Sequence, residues 1–73
     1  MNEIIPAILP KDVKDLETKA GQLPPEIPFV HLDVLEEDIW APINKDFEAH
    51  LMVENPSQII SKWTERGAKR IIV

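Results

Sequence analysis

The chain has 73 residues, 44% of them hydrophobic, and thirteen acidic against eight basic side chains leave a net charge of -5. A chain of this length has room for one small core, since it buries only about 60% of its unfolded surface on folding. No Lys/Arg cluster interrupts the acidic balance, so the basic patch needed for phosphate backbones is missing and nucleic acid is excluded as a partner. Cysteine is absent. That removes disulfides and thiolate metal sites and tilts the expected compartment toward the cytoplasm.

The first stretch, "MNEIIPAILP", has an acidic residue and two prolines where a leader would have a basic region and a long apolar run. With no apolar run near ~18 residues, it predicts a soluble chain without a membrane partner. Within it, Glu3 to Leu9 is a short, nearly continuous apolar run closed by Pro10, the pattern of a strand buried on both faces of a parallel sheet. Asp12 then predicts a helix cap, with Asp15 in the first turn, Val13, Leu16 and Ala20 at helical spacing, and Gly21 as the end. "LPPEIP" carries three of the seven prolines and reads as a stiff connection. It leads into a second strand, Phe29 to Leu35.

"EEDIWAPINKD" has no period and predicts a loop, its adjacent carboxylates reading as solvated charge. "FEAHLMV", Phe47 to Val53, is the third strand. Asn55 followed by Pro56 predicts a cap and first helical position, with Ile59, Ile60 and Trp63 as the apolar stripe, Lys62 and Arg66 near the end and Gly67 as the stop. Trp63 reads as core, and Trp40, in the loop, is open between packing and ligand stacking. "KRIIV" is a fourth strand. Residues 1–73 are therefore predicted to form one α/β unit of about four parallel strands and two helices, ordered βα-β-loop-βα-β.

Polar residues inside apolar strands need a hydrogen bond, a partner or a metal. His31 and Asp33 stand two apart in one strand, on the same face, and His50 sits in the strand expected beside it. Taken singly, either histidine would read as a satisfied core residue. Together, the two imidazoles and one carboxylate read as ligands for zinc, iron, manganese or cobalt.

The segments "IIPAILPKD", "VHLDVLEED" and "HLMVENP", in this order and at the starts of successive units, resemble the N-terminal part of a ribulose-phosphate 3-epimerase. The resemblance covers almost the whole chain and implies a partial TIM barrel. It further implies a divalent metal held by His31, Asp33 and His50, Asp33 doubling as one acid/base group, and His50 and Met52 facing a pentulose phosphate, an isomerase reaction of the pentose phosphate pathway. The family's Met-Asp-Gly in the second segment gives way to Leu35, Glu36 and Glu37, and its serines give way to Ala7 and Pro10. These departures touch the substrate side of the site more than the metal side.

A full barrel takes about 250 residues and eight strands. The resemblance thus places the second acid/base aspartate, a fourth ligand and the phosphate loops on later strands, and the expectation is a barrel segment inactive by itself. The competing expectation is a non-catalytic α/β piece that pairs with itself or a partner to complete its sheet, a homo-oligomer in the first case. A decarboxylase of the same superfamily would carry a lysine beside the strand carboxylates, and "HLDV" and "HLMV" have none.

Overall fold

The computed structural model describes residues 5–73. Four strands, β1 (Ala7–Ile8), β2 (Phe29–Val34), β3 (Asp46–Leu51) and β4 (Arg70–Ile72), form one parallel sheet in the order β1-β2-β3-β4. Helix α1 (Val13–Gly21) links β1 to β2, and a 3₁₀ turn (Pro56–Gln58) followed by α2 (Ile60–Glu65) links β3 to β4. Residues 35–45, between β2 and β3, contain no helix or strand. The expected α/β order and the four parallel strands are thus present.

The sheet is covered on one side. Along β2 the inward residues are Val30, Leu32 and Val34, in register with Phe47, Ala49 and Leu51 of β3, and all six are buried with Ile8, Leu16 of α1 and Trp63 of α2 in one cluster. Both helices therefore pack on the same face. Fully burying a Val or Leu side chain contributes about 1.5–3 kcal/mol, so this face supplies the cohesion of the chain. The opposite face carries Phe29, His31 and Asp33 of β2, opposite Asp46, Glu48 and His50 of β3.

Four expectations are corrected. The first strand was expected over Glu3 to Leu9 and buried on both faces; Glu3 and Ile4 lie outside the described residues, and only Ala7 and Ile8 pair, with Ile8 buried and Ala7 exposed. Prolines at 6 and 10 have no N–H to donate, and although the Pro6 carbonyl accepts from His31 N at 2.8 Å, β1 stays a two-residue edge strand. Val13, expected on the apolar stripe of α1, is exposed at its first turn, leaving Leu16 to bury.

The second helix does not run unbroken from Pro56. Asn55 makes no side-chain cap, the first turn is 3₁₀, and the chain resets at Ile59 (φ -120°, ψ 1°) before α2 begins at the half-exposed Ile60. Proline at the start and two adjacent β-branched residues favour this short first turn over a continuous helix. Finally, the loop carboxylates are not simply solvated. Asp38 accepts from both guanidinium nitrogens of Arg66 at 2.8 and 3.1 Å and lies 3.3 Å from Lys62 Nζ, while Glu36 accepts from Glu54 N at 2.7 Å. Arg66 beside it holds the Asp38 carboxyl below its ordinary range.

Trp40 packs in the core cluster's rim, its ring 5.3 Å from Phe47 and 5.4 Å from Trp63, with the Arg66 guanidinium 4.6 Å from the Trp63 ring. A loop anchored by aromatic and ionic contacts thus fills the position where a helix would cover β2 and β3. Asp12 caps α1 as expected, its Oδ1 accepting from Asp15 N at 2.7 Å, and Asp15 in turn accepts from Lys11 N at 2.9 Å. Lys45 Nζ donates to the carbonyls of Pro24 and Ile27 at 3.1 and 2.6 Å, tying the proline-rich connection to the start of β3. Among the described residues no helix is long and apolar enough to cross a membrane.

Gly67 ends α2 with φ 101°, and the chain reverses there through Ala68 N to Trp63 O at 3.2 Å and Gly67 N to Thr64 O at 3.0 Å. This paired closure with a left-handed residue is a Schellman end. A Cβ at Gly67 would meet nothing within 4 Å, so the cost of substitution is conformational alone. Gly67→Ala is expected to lower stability by about 1 kcal/mol, read as a reduced urea midpoint with an unchanged slope.

Candidate metal centre on the open sheet face

The geometry of the site follows from strand register. In a parallel pair, residues in register point to the same face, and β2 and β3 pair with Asp33 opposite His50 and His31 opposite Glu48. The apolar partners of the same strands, Leu32 with Ala49 and Val34 with Leu51, are fixed in the core. A slip of one residue in β2 would turn His31 and Asp33 into it, and one in β3 would turn His50. Burial of one face therefore sets the positions of the polar groups on the other.

His31, Asp33 and His50 come together as the sequence predicts. One ligand atom from each lies within 4.8 Å of the others, and all three residues are half-buried. Asp33 Oδ1 lies 2.9 Å from His31 Nε2 and 3.2 Å from His50 Nδ1, and the two imidazole rings meet edge to face at 5.4 Å. Two nitrogen or oxygen ligands at ~2.0–2.1 Å from one tetrahedral ion stand about 3.3 Å apart; the two separations from Asp33, 2.9 and 3.2 Å, are close to this, and the two imidazole nitrogens lie within 4.8 Å of each other. Two imidazoles and a carboxylate also have the donor character that suits zinc, iron, manganese or cobalt. The residues present fit a divalent ion.

Met52 follows β3 directly. Its N–H donates to Val34 O at 2.8 Å, which carries the ladder one step past Leu51 and puts Met52 two positions beyond His50, partly exposed at the strand end. Leu35 is exposed at the corresponding end of β2. A crevice of about 110 Å³ opens near these strand ends, between the loop after β2 and α2, and is lined by Leu35, Asp38, Val53, Gln58, Lys62 and Trp63, among others. None of the three ligand candidates lines it. The triad belongs to the open face of the sheet, and the crevice to the helical side.

One residue of the site went unread in the sequence. Glu48 is buried, only 7% exposed, although it stands on the open face. Its Oε2 pairs with His31 Nδ1, and its Oε1 accepts from Arg70 Nε at 2.9 Å and lies 2.7 Å from Arg70 Nη2. His31, Glu48 and Arg70 thus form one row across β2, β3 and β4, as the register His31↔Glu48↔Arg70 requires. The signal was available: Glu48 precedes His50 by two, just as His31 precedes Asp33, so alternation puts all four on one face.

A carboxylate lies at each ring nitrogen of His31 and favours its protonated form. Glu48, then Asp33, raises its pKa above the ordinary 6.5, and His31, then Arg70, lowers that of Glu48 below 4.5. A raised histidine stabilises the fold fully below its unfolded value and loses that contribution as pH climbs through its folded value. A depressed carboxylate stabilises above its unfolded value and loses that contribution as pH falls through its folded one. For the metal-free chain the two conditions overlap between about pH 4.5 and 6.5. The difference in Tm between the parent chain and Glu48→Gln is expected to be largest in that window and to shrink on both sides of it in thermal melts across pH.

The chain matches no protein-family model, no curated protein and no solved structure. The chemistry assigned to this face rests on its own residues.

Proposed function

We propose that the chain carries part of the metal site of a ribulose-phosphate 3-epimerase-like barrel, in which His31, Asp33 and His50 hold a divalent ion and Asp33 also exchanges a proton at C3 of a pentulose 5-phosphate. The observation that carries this reading is the convergence of two imidazole nitrogens and one carboxylate oxygen within 4.8 Å on the face of a parallel sheet that its helices leave open. Sequential strand order with both helices on one side is the winding of a (βα) barrel rather than of a doubly wound sheet. That winding supports the barrel reading, in which the open face would line the barrel interior.

When bound, a divalent cation would supply Lewis-acid stabilisation of the negative charge that develops on the ketose oxygens as C3 loses its proton. The residues of this chain have the remaining tasks. Asp33 Oδ1 takes both histidine contacts, which leaves Oδ2 as the oxygen to meet the substrate and carry the proton. Met52, past the end of β3, offers an apolar contact at the rim. The return of a proton from the opposite side of the sugar needs a second group, which the resemblance assigns to a later strand. The metal site is therefore the part of the reaction testable in this chain.

A second reading is a non-catalytic α/β piece that pairs with itself or a partner. Strands β1 and β4 each have one hydrogen-bonded neighbour among the described residues, and Leu9, Leu35, Met52 and Val73 are exposed near the strand ends. Unpaired edges with apolar neighbours invite pairing.

Calorimetric titration with zinc or cobalt separates the two. The 73-residue chain is expected to bind one ion, and His31→Ala and His50→Ala are each expected to weaken binding by more than the ~10- to 100-fold typical of losing an outer partner of a ligand. Turnover of ribulose 5-phosphate is expected to be absent, because one of two acid/base groups cannot complete an epimerisation. Metal binding unchanged in both variants would overturn the metal-site reading and leave the pairing one.

A further inference from the structure

A histidine offers a cation one of two nitrogens, and what the other nitrogen does settles which. His31 Nε2 faces Asp33 Oδ1 at 2.9 Å, within the triad, and Nδ1 faces Glu48 Oε2 on the side away from it. We propose that Glu48 is a positioning residue: it holds His31 with the proton on Nδ1, so that Nε2 is the nitrogen offered beside Asp33 and His50, and Arg70 keeps Glu48 in place. This inference rests on the metal reading above and deepens it.

Three observations carry it. Glu48 is the buried polar residue of the site, and a buried carboxylate is retained only where its oxygens are satisfied. Both oxygens are in use, Oε2 on His31 and Oε1 on two nitrogens of Arg70 at 2.9 and 2.7 Å. Turning either oxygen toward a cation would break an ion pair, which makes Glu48 a support and not a fourth ligand. The row is also built into the sheet, since His31, Glu48 and Arg70 occupy one register line across three strands.

His50 provides the contrast. On its own line the β4 neighbour is Ile72, which has no acceptor side chain, and its Nδ1 already faces Asp33 at 3.2 Å. The two histidines therefore differ: His31 is oriented from behind, and His50 is aligned from within the triad.

The test uses the full chain and two readouts. Zinc titrations of the parent, Glu48→Gln and Arg70→Leu are expected to show Glu48→Gln binding ~10- to 100-fold more weakly, with Arg70→Leu weaker than the parent by a smaller factor. Nitrogen-15 NMR of the imidazole rings of the metal-free chain, above the range in which histidines titrate, is expected to show His31 in the Nδ1–H form in the parent. In Glu48→Leu the Nε2–H form, donating to Asp33, should take over. A parent chain that binds zinc while Glu48→Gln binds equally well, or a parent His31 in the Nε2–H form, overturns this inference and leaves the metal reading standing. No zinc binding by the parent overturns both. If the Glu48 variants do not fold, Arg70→Leu decides, and its binding zinc as tightly as the parent overturns the role given to the row.

Discussion

The parallel pairing of β2 with β3 is the constraint on which the site depends. On one face of that pairing, Val30, Leu32 and Val34 lie level with Phe47, Ala49 and Leu51, and their burial gives the register an energetic cost of several kcal/mol for any slip. On the other face the same register sets His31 beside Glu48 and Asp33 beside His50. Polar groups that would be costly to assemble on their own are thus aligned by an apolar interaction on the reverse of the same strands. The histidines need no specific loop to bring them together; they need only the correct pairing of two six-residue strands.

Several features were legible because they have strong local causes. Asp12 two residues after a proline, with an acidic residue three positions on, marks the start of α1 whatever surrounds it, and Gly67 marks the end of α2 through a conformation other residues adopt only with strain. The alternation of β2 likewise fixes which residues share a face. What could not be read was the outcome of competitions between local and tertiary terms. Asn55-Pro56 is a good helix start by sequence, yet the chain first takes a 3₁₀ turn and resets at Ile59, where Trp63 N bonds to Ile59 O at 3.1 Å and the indole reaches the core.

Glu48 and the loop carboxylates illustrate a second limit. A glutamate in a strand is ordinarily assigned to solvent, and its burial becomes intelligible only when Arg70, 22 residues away in sequence, is known to lie on the next strand. Asp38 is ambiguous in the same way until Arg66, 28 residues on, is seen to close a two-pronged contact. In both cases the sequence contains the partners but not the pairing. Trp40 belongs with them: a tryptophan in an aperiodic loop becomes partly buried against the core because that loop is drawn over Phe47 and Trp63.

The link between β2 and β3 has a kinetic consequence. Parallel neighbours must be joined by a crossover, and here that crossover, residues 35–45, has no helix to form early as a unit. Its ordering contacts, Asp38 with Arg66 and Trp40 with Trp63, reach forward to α2 and its end, C-terminal to both strands. The central strand pair cannot be locked until the second helix has docked. Loop-closure entropy is met before the contacts that offset it, so the transition state for folding should already contain α2, and the triad should be among the last features to become ordered.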